Sequence, residues 1–233
     1  MKKPVWLKPL LFVVLLAPMT VLAISWIRLL SGTDVPALTA DPVAETTRVL
    51  GEWSLRSLLA ALAVTPVARL TGWTPILTAR RMVGLIAFSY VLVHWSFWMW
   101  LDLAWSPAEL AKEIAKRRYV LFGMAGFLCL LSLAITSTRG WIRRLGARRW
   151  QSLHRLVYVA GAAGCIHYAM LVKGNQAAPK IYLLILAMLL AARYLPQRRR
   201  RSVPAAAKAP VQAPPRNMTR NAIATSASDI PNI

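Results

Sequence analysis

The sequence predicts an all-α, polytopic membrane protein folded as a bundle of six transmembrane helices. Three observations carry that expectation. Hydrophobic residues make up 57% of the 233 and charged residues only 16%, too apolar a balance for an ordinary soluble domain. Six apolar runs approach the ~20 residues, or ~17 at the short end, that a spanning helix needs. The Lys and Arg residues behind a net charge of +21 gather in alternate connecting segments and at the C-terminus, as the positive-inside rule requires.

The first span is expected at Leu10–Leu30. Lys2, Lys3 and Lys8 precede it, and Val21-Leu22-Ala23 resembles a signal-peptide cleavage site. The apolar run nevertheless continues through Ile24, Trp26, Ile27, Leu29 and Leu30, beyond the usual length of such a leader, so a retained helix is expected. The second span, Trp53–Leu70, carries Arg56 near its start and is interrupted by Pro66. The third is Met82–Leu103, the fourth Tyr119–Thr136, the fifth Leu153–Val172 and the sixth Ile181–Leu195. Residues 1–9 form an N-terminal segment and 10–197 the helical domain. Residues 198–233 begin with an arginine run, continue rich in Ala, Pro, Ser, Thr and Asn, and lack apolar periodicity, so they read as a disordered basic tail. No repeat of 20–50 residues is evident.

Orientation follows from the connections. The 31–53 segment holds Asp34, Asp41, Glu45 and Glu52 against Arg48, whereas the next carries Arg80 and Arg81. The 104–118 segment mixes Glu109 and Glu113 with Lys112, Lys116, Arg117 and Arg118; 137–152 has Arg139, Arg143, Arg144, Arg148 and Arg149 and no acid. Alternate basic segments put both termini in the cytoplasm, with Arg117 and Arg118 as the exception on the outer side. The same distribution accounts for the positive charge through lipid and topology rather than nucleic acid. Cys129 and Cys165 lie in apolar runs without a Cys-x-x-Cys pattern, so neither a disulfide framework nor a thiol redox centre is expected.

The three histidines, His94, His154 and His167, all fall inside or at the edge of apolar runs, where an ionisable side chain is a functional-site hypothesis by default. The third and fifth spans run in the same direction. His94 lies 13 residues beyond Arg81, and His167 lies 13 beyond His154, an offset of ~20 Å along a helix. His94 and His167 should therefore share a depth in the outer half of the bilayer, with Arg81 and His154 near the inner face. A lone intramembrane histidine is most simply a polar residue bonded to a neighbouring helix. Two at one depth on helices of one direction favour metal ligation, and haem held by two imidazoles asks for this arrangement. A tetrahedral zinc site lacks a well-placed carboxylate. Gly84, Gly123, Gly126, Gly161 and Gly164 either admit a flat macrocycle or let helices pack closely; Tyr90, Trp95, Trp98 and Trp100 suit a porphyrin edge or an interfacial belt equally. His154, beside Gln151 and Arg155, is open to a second haem, a flavin, a quinone headgroup or a plain interfacial role.

Two stretches resemble the MsrQ family, the haem-binding membrane subunits of a bacterial methionine sulfoxide reductase system. One is Arg80-Arg81-Met82-Val83-Gly84-Leu85 followed by Phe88, Tyr90 and His94. The other, more specific, joins Thr136-Ser137-Thr138, Arg143-Arg144-Leu145-Gly146, Trp150, Leu153-His154-Arg155-Leu156-Val157-Tyr158 and His167-Tyr168. The resemblance covers about residues 5–195 and is strongest over 80–172. It implies the ferric-reductase-like transmembrane fold shared with NADPH oxidases, with haem b between the third and fifth spans. By position His94 and His167 match the axial ligands and His154 the inner histidine. The third-span position that would pair with His154 in two-haem relatives is held by Arg80 or Arg81, which ligate no iron; they suit an anion such as a flavin phosphate. The resemblance further implies FMN as a second cofactor and electrons from the quinone pool or a cytosolic flavin reductase. Their acceptor would be MsrP, a periplasmic molybdopterin enzyme that reduces methionine sulfoxide in oxidised proteins.

No Gly-x-Gly-x-x-Gly fingerprint, nucleophile–base pair or paired-carboxylate site occurs. The chain is thus expected to be the electron-transfer subunit in the inner membrane rather than the catalytic one, receiving electrons from a separate donor. A stand-alone ferric or oxygen reductase is the alternative. A transporter is disfavoured, because neither an intramembrane acid–base chain nor an inverted repeat is visible.

Overall fold

In a computed structural model the described residues are 4–193 except 34, 36, 37, 39, 40, 173 and 175. The expected tail, 198–233, lies outside them. The regular structure is helical: α1 (Leu7–Leu30), α2 (Pro42–Thr71), a 3-10 segment (Thr74–Ala79) running into α3 (Arg80–Leu101), α4 (Pro107–Lys116), α5 (Arg118–Ile135), α6 (Arg139–Leu153), α7 (Leu156–Leu171) and α8 (Ala177–Ala191). The six expected spans correspond to α1, α2, α3, α5, α7 and α8. Leu7–Leu30, Thr74–Leu101 and Arg118–Ile135 are long and apolar enough to cross a membrane; α7 and α8 are apolar but shorter.

Five details of the sequence reading are corrected. Pro66 does not interrupt α2; it is buried inside a continuous helix of 30 residues. That helix also starts well before Trp53, because Asp41 caps it: its carboxylate accepts from the amides of Val43 (3.1 Å) and Ala44 (2.9 Å), with Pro42 in the first turn. The 104–118 segment contains α4, capped by the Ser106 hydroxyl on the Glu109 amide (3.3 Å). The 137–152 segment is α6, which opens on Thr138 and bends at Gly146, where φ is +73°. A side chain at that φ would be strained, so glycine is required. His154 caps the end of α6 and the following helix starts only at Leu156; His154 is not part of α7.

Apolar burial does not pull helices together when the surroundings are themselves apolar, so close packing and interhelical hydrogen bonds must do so. α2 packs most extensively on α3, and α5 on α7. Leu58 of α2, Ala87 of α3, Leu130 and Leu133 of α5 and Ala160 of α7 meet in one cluster. Leu55, Leu59 and Leu62 of α2, one side of the helix, meet Cys165 of α7 and Leu186 of α8 in another. Cys165 packs there as a small apolar residue. Conversely Val13 (64% exposed), Val21 (62%), Leu184 (61%) and Met188 (62%) point outward from α1 and α8, as lipid-facing side chains do.

α1 is tied down by two polar contacts. The Trp26 indole donates to the Thr46 hydroxyl of α2 (2.8 Å), which is otherwise fully buried. The Tyr90 hydroxyl of α3 donates to the Leu15 carbonyl (2.8 Å) and accepts from the Met19 amide (3.1 Å). Those two backbone groups are four apart, the pair that a regular helix would bond to each other. Pro18 lies between them, and a proline ring disturbs the preceding turn; the tyrosine hydroxyl bridges both groups. Tyr90→Phe removes that bridge inside an apolar site, and a loss of ~1–3 kcal/mol is expected, read as a lower melting midpoint in detergent with helix content retained at low temperature.

Candidate functional site

A cavity of ≈ 660 Å³ lies between α2, α3, α5 and α7, inside the ~300–1,000 Å³ range of small-molecule and cofactor sites. His94 from α3 and His167 from α7 both line it, joined by Gly51 of α2, Gly123 of α5 and the rings of Trp95 and Tyr168. The two histidines that the sequence pairs by depth thus face one chamber. Trp95 is fixed by stacking on Phe127 (4.7 Å between centroids, 11° between planes) and by an edge contact with Trp105 (5.7 Å). Trp98 also lines the cavity. Tyr90 instead bridges to α1, and Trp100 is 61% exposed, so the four expected aromatics divide between cavity, helix tie and surface.

Each imidazole is oriented by a neighbouring backbone. His94 Nδ1 lies 2.9 Å from the Thr47 carbonyl of α2, and His167 Nδ1 lies 2.7 Å from the Tyr119 carbonyl of α5. A carbonyl only accepts, so Nδ1 carries the proton in both rings and Nε2 keeps its lone pair. Metal-ligating histidines characteristically donate their other ring nitrogen in this way. The donor set, two neutral imidazoles with Nε2 available in one cavity, fits haem with two axial histidines. Among the described residues no cluster of three or more His, Cys, Asp or Glu forms a site for a bare metal ion.

One end of the cavity is charged. Asp41, Arg48, Glu52, Asp102 and Arg117 all line it. Arg48 pairs with both Glu45 and Glu52 (2.8 Å to the latter), Glu52 with Arg56 (2.7 Å), and Arg56 donates to the Tyr182 hydroxyl of α8 (2.9 Å). This ladder, three and four residues apart along one face of α2, neutralises the charges that α2 carries toward the apolar region. On the other side Arg117 pairs with Glu113 (3.0 Å).

His154 is separate. It does not line the cavity; its ring stacks on Trp150 at 3.8 Å and its Nδ1 lies 3.1 Å from the Trp150 carbonyl. Arg80 is close enough to act on it electrostatically, whereas Arg81 is exposed. Two arginines that the sequence reading did not single out extend this group. Arg69 donates to the Arg193 carbonyl (3.0 Å), and the Arg193 guanidinium lies over the Tyr158 ring (4.1 Å), within electrostatic reach of Arg80. Their separation, 124 residues, hides them from local pattern reading.

Residues 50–165 match the profile of the family described as ferric reductase like transmembrane component. The chain is 49% identical over 164 residues to a protein of Rhodospirillum rubrum named protein-methionine-sulfoxide reductase heme-binding subunit MsrQ, covering 70% of this chain and 79% of that one. A protein of the same name from Xanthomonas campestris is 43% identical over 86% of this chain and 91% of its own. Another from Herminiimonas arsenicoxydans is 40% identical over 80% and 84%.

Glu45 receives a charge-assisted hydrogen bond from the Arg48 guanidinium. The pair is partly exposed, so it contributes less than about 1 kcal/mol. Glu45→Gln should lower the melting midpoint slightly at low ionic strength, and the difference should shrink as salt screens the pair; equal losses at low and high salt would remove the ion pair as the cause.

Proposed function

The chain belongs to the MsrQ family of haem-binding subunits, and on that premise we propose that it carries electrons across the bacterial inner membrane on a single haem b. The acceptor is MsrP, the periplasmic molybdopterin reductase that repairs methionine sulfoxide in periplasmic proteins. The observation that carries the proposal is the matched pair of imidazoles, His94 and His167, in the same tautomer and facing one cavity. When bound, haem supplies reversible one-electron chemistry. The chain's own part is to hold, orient and enclose it. His94 and His167 would hold it through their Nε2 atoms, and the apolar walls from α2, α3, α5 and α7 would enclose it.

In this reading six helices span the membrane and both termini are cytoplasmic. α2 crosses in spite of its charges because the Glu45–Arg48–Glu52–Arg56 ladder satisfies them within the protein. Residues 10–197 are the membrane domain. The charged end of the cavity then faces the periplasm, where the acceptor docks. Arg80, with Arg69, Arg193 and His154, marks the opposite, cytoplasmic end. Guanidinium groups gathered with no carboxylate among their described partners suit an anionic donor group, such as the phosphate of FMN, delivered by a cytosolic flavin reductase, or a quinone headgroup. His154 belongs to that donor site rather than to a second haem.

Haem quantitation per chain tests the reading. Wild-type protein purified in detergent should give about one haem and a b-type reduced-minus-oxidised spectrum, with His94→Ala and His167→Ala losing both and His154→Ala retaining them. A folded, haem-free wild type would end the proposal. Reoxidation of the reduced chain should require the periplasmic molybdopterin enzyme. Equal reoxidation by a ferric chelate or oxygen alone would favour the stand-alone reductase.

A further inference from the structure

We propose that Gly51 and Gly123 are the positioning residues of the two axial ligands, each forming with the carbonyl one turn before it a seat that fixes its histidine ring. The proposal rests on the reading of His94 and His167 as haem ligands. A Cβ added at Gly123 would lie 2.9 Å from His167 Nδ1 and 3.0 Å from its Cε1; at Gly51 it would lie 3.1 Å from His94 Cε1 and 3.3 Å from Nδ1. Both are closer than a methyl group tolerates without the ring giving way. The ring has little freedom to do so, because the same Nδ1 is held by Thr47 O or Tyr119 O.

The two seats are built alike. Thr47 and Gly51 are four residues apart on α2, and Tyr119 and Gly123 four apart on α5, so in each case carbonyl and glycine lie on one stripe of a helix. The histidine follows its carbonyl partner by 47 residues in one pair and 48 in the other. The chain thus uses one device twice, once between α2 and α3 and once between α5 and α7. The other glycines do something else. A Cβ at Gly126 would meet Ala160 O and Ala163 Cβ at 3.7 Å, ordinary helix packing, and one at Gly161 would meet Leu62. Gly84, on the same helix as His94, has nothing within 4 Å.

A glycine that only lets helices approach and a glycine that seats a ligand differ in what alanine does. In the first case stability falls and the haem is unchanged. In the second the imidazole moves by a few tenths of an ångström, its bond to the carbonyl is disturbed, and the ligand field at the iron changes with it, since the groups behind a ligating histidine set its orientation and basicity. The tighter contact at Gly123 predicts the larger effect there.

The experiment compares wild type, Gly51→Ala, Gly123→Ala and Gly84→Ala, purified in detergent. Far-UV circular dichroism reports folding; haem content, the low-spin EPR g-values of the oxidised form and the midpoint potential report the ligands. Expected are altered g-values and potential in both Gly51→Ala and Gly123→Ala, a weakening of haem retention by ~10–100-fold in Gly123→Ala, and wild-type values in Gly84→Ala. If Gly123→Ala does not fold, Gly51→Ala with its looser contact carries the test. Wild-type spectra and potential in both folded variants would overturn the proposal, as would failure of both to fold, since that makes them packing residues. A wild type without haem, or His94→Ala or His167→Ala proteins that keep its spectrum, would instead overturn the ligand assignment beneath it.

Discussion

An imidazole withdrawn from water must still give its N–H to an acceptor, and in the apolar interior of this chain the acceptors within reach are backbone carbonyls. Helix carbonyls carry two lone pairs, one used within the helix and one left over. Thr47 and Tyr119 offer theirs to His94 and His167. The consequence is chemical as well as structural. A carboxylate in the same position would draw the proton away and make the ring more basic; a neutral carbonyl holds it as plain imidazole with Nε2 as a lone-pair donor. Both histidines have the same kind of partner, so the cavity presents two equivalent lone-pair donors rather than one strong and one weak. The α2–α3 and α5–α7 contacts, the most extensive among the described helices, are the ones that bring ring and carbonyl together.

The need to satisfy polar groups inside the protein also governs the elements farther from the cavity. Tyr90 bridges the Leu15 and Met19 backbone groups beside Pro18, and Thr46 receives the Trp26 indole. Glu52 pairs with two arginines on its own helix, one of which reaches α8 through Tyr182. Each contact settles a donor or acceptor that would otherwise be costly in lipid, and the Tyr90, Trp26 and Arg56–Tyr182 contacts also join two helices. α1, whose sides are otherwise largely exposed, is held by the tyrosine and tryptophan contacts together with packing of Leu15, Leu16, Met19 and Leu22 against Leu50 and Ile86.

The apolar helices were legible in the sequence because their composition is one-sided over long runs. That His94 and His167 would lie on two of those helices was legible too, but their equal depth was not, because the offset used for His167 assumed one helix running from His154, and the chain leaves the helix between them. The connections were not. α4 and α6 are polar, so a search for spans passes over them, although the Ser106 N-cap before Pro107 marks α4, and Asp41-Pro42 marks the true start of α2. The seats at Thr47–Gly51 and Tyr119–Gly123 were invisible for a different reason. Half of each seat is a backbone carbonyl, which every residue possesses, and the other half is the lack of a side chain. Only the near-equal spacing to the two histidines distinguishes them.

The same geometry separates His154 from the pair. Its assigned depth assumed an unbroken helix from Leu153 to Val172, but the chain leaves the helix at His154 and resumes at Leu156, so the offset of 13 residues does not convert into a rise at 1.5 Å per residue. Its Nδ1 also faces a carbonyl, and so its Nε2 is also a lone-pair donor. The partner, however, is Trp150 on its own helix, and the ring is covered by that tryptophan's face. A locally held ring needs no second helix to orient it, and no opposing histidine completes a second pair in a chain that has only three. Tautomer alone therefore does not make a haem ligand. What sets His94 and His167 apart is that each is held from a neighbouring helix, so that forming the bundle and presenting the two nitrogens to one cavity are the same event.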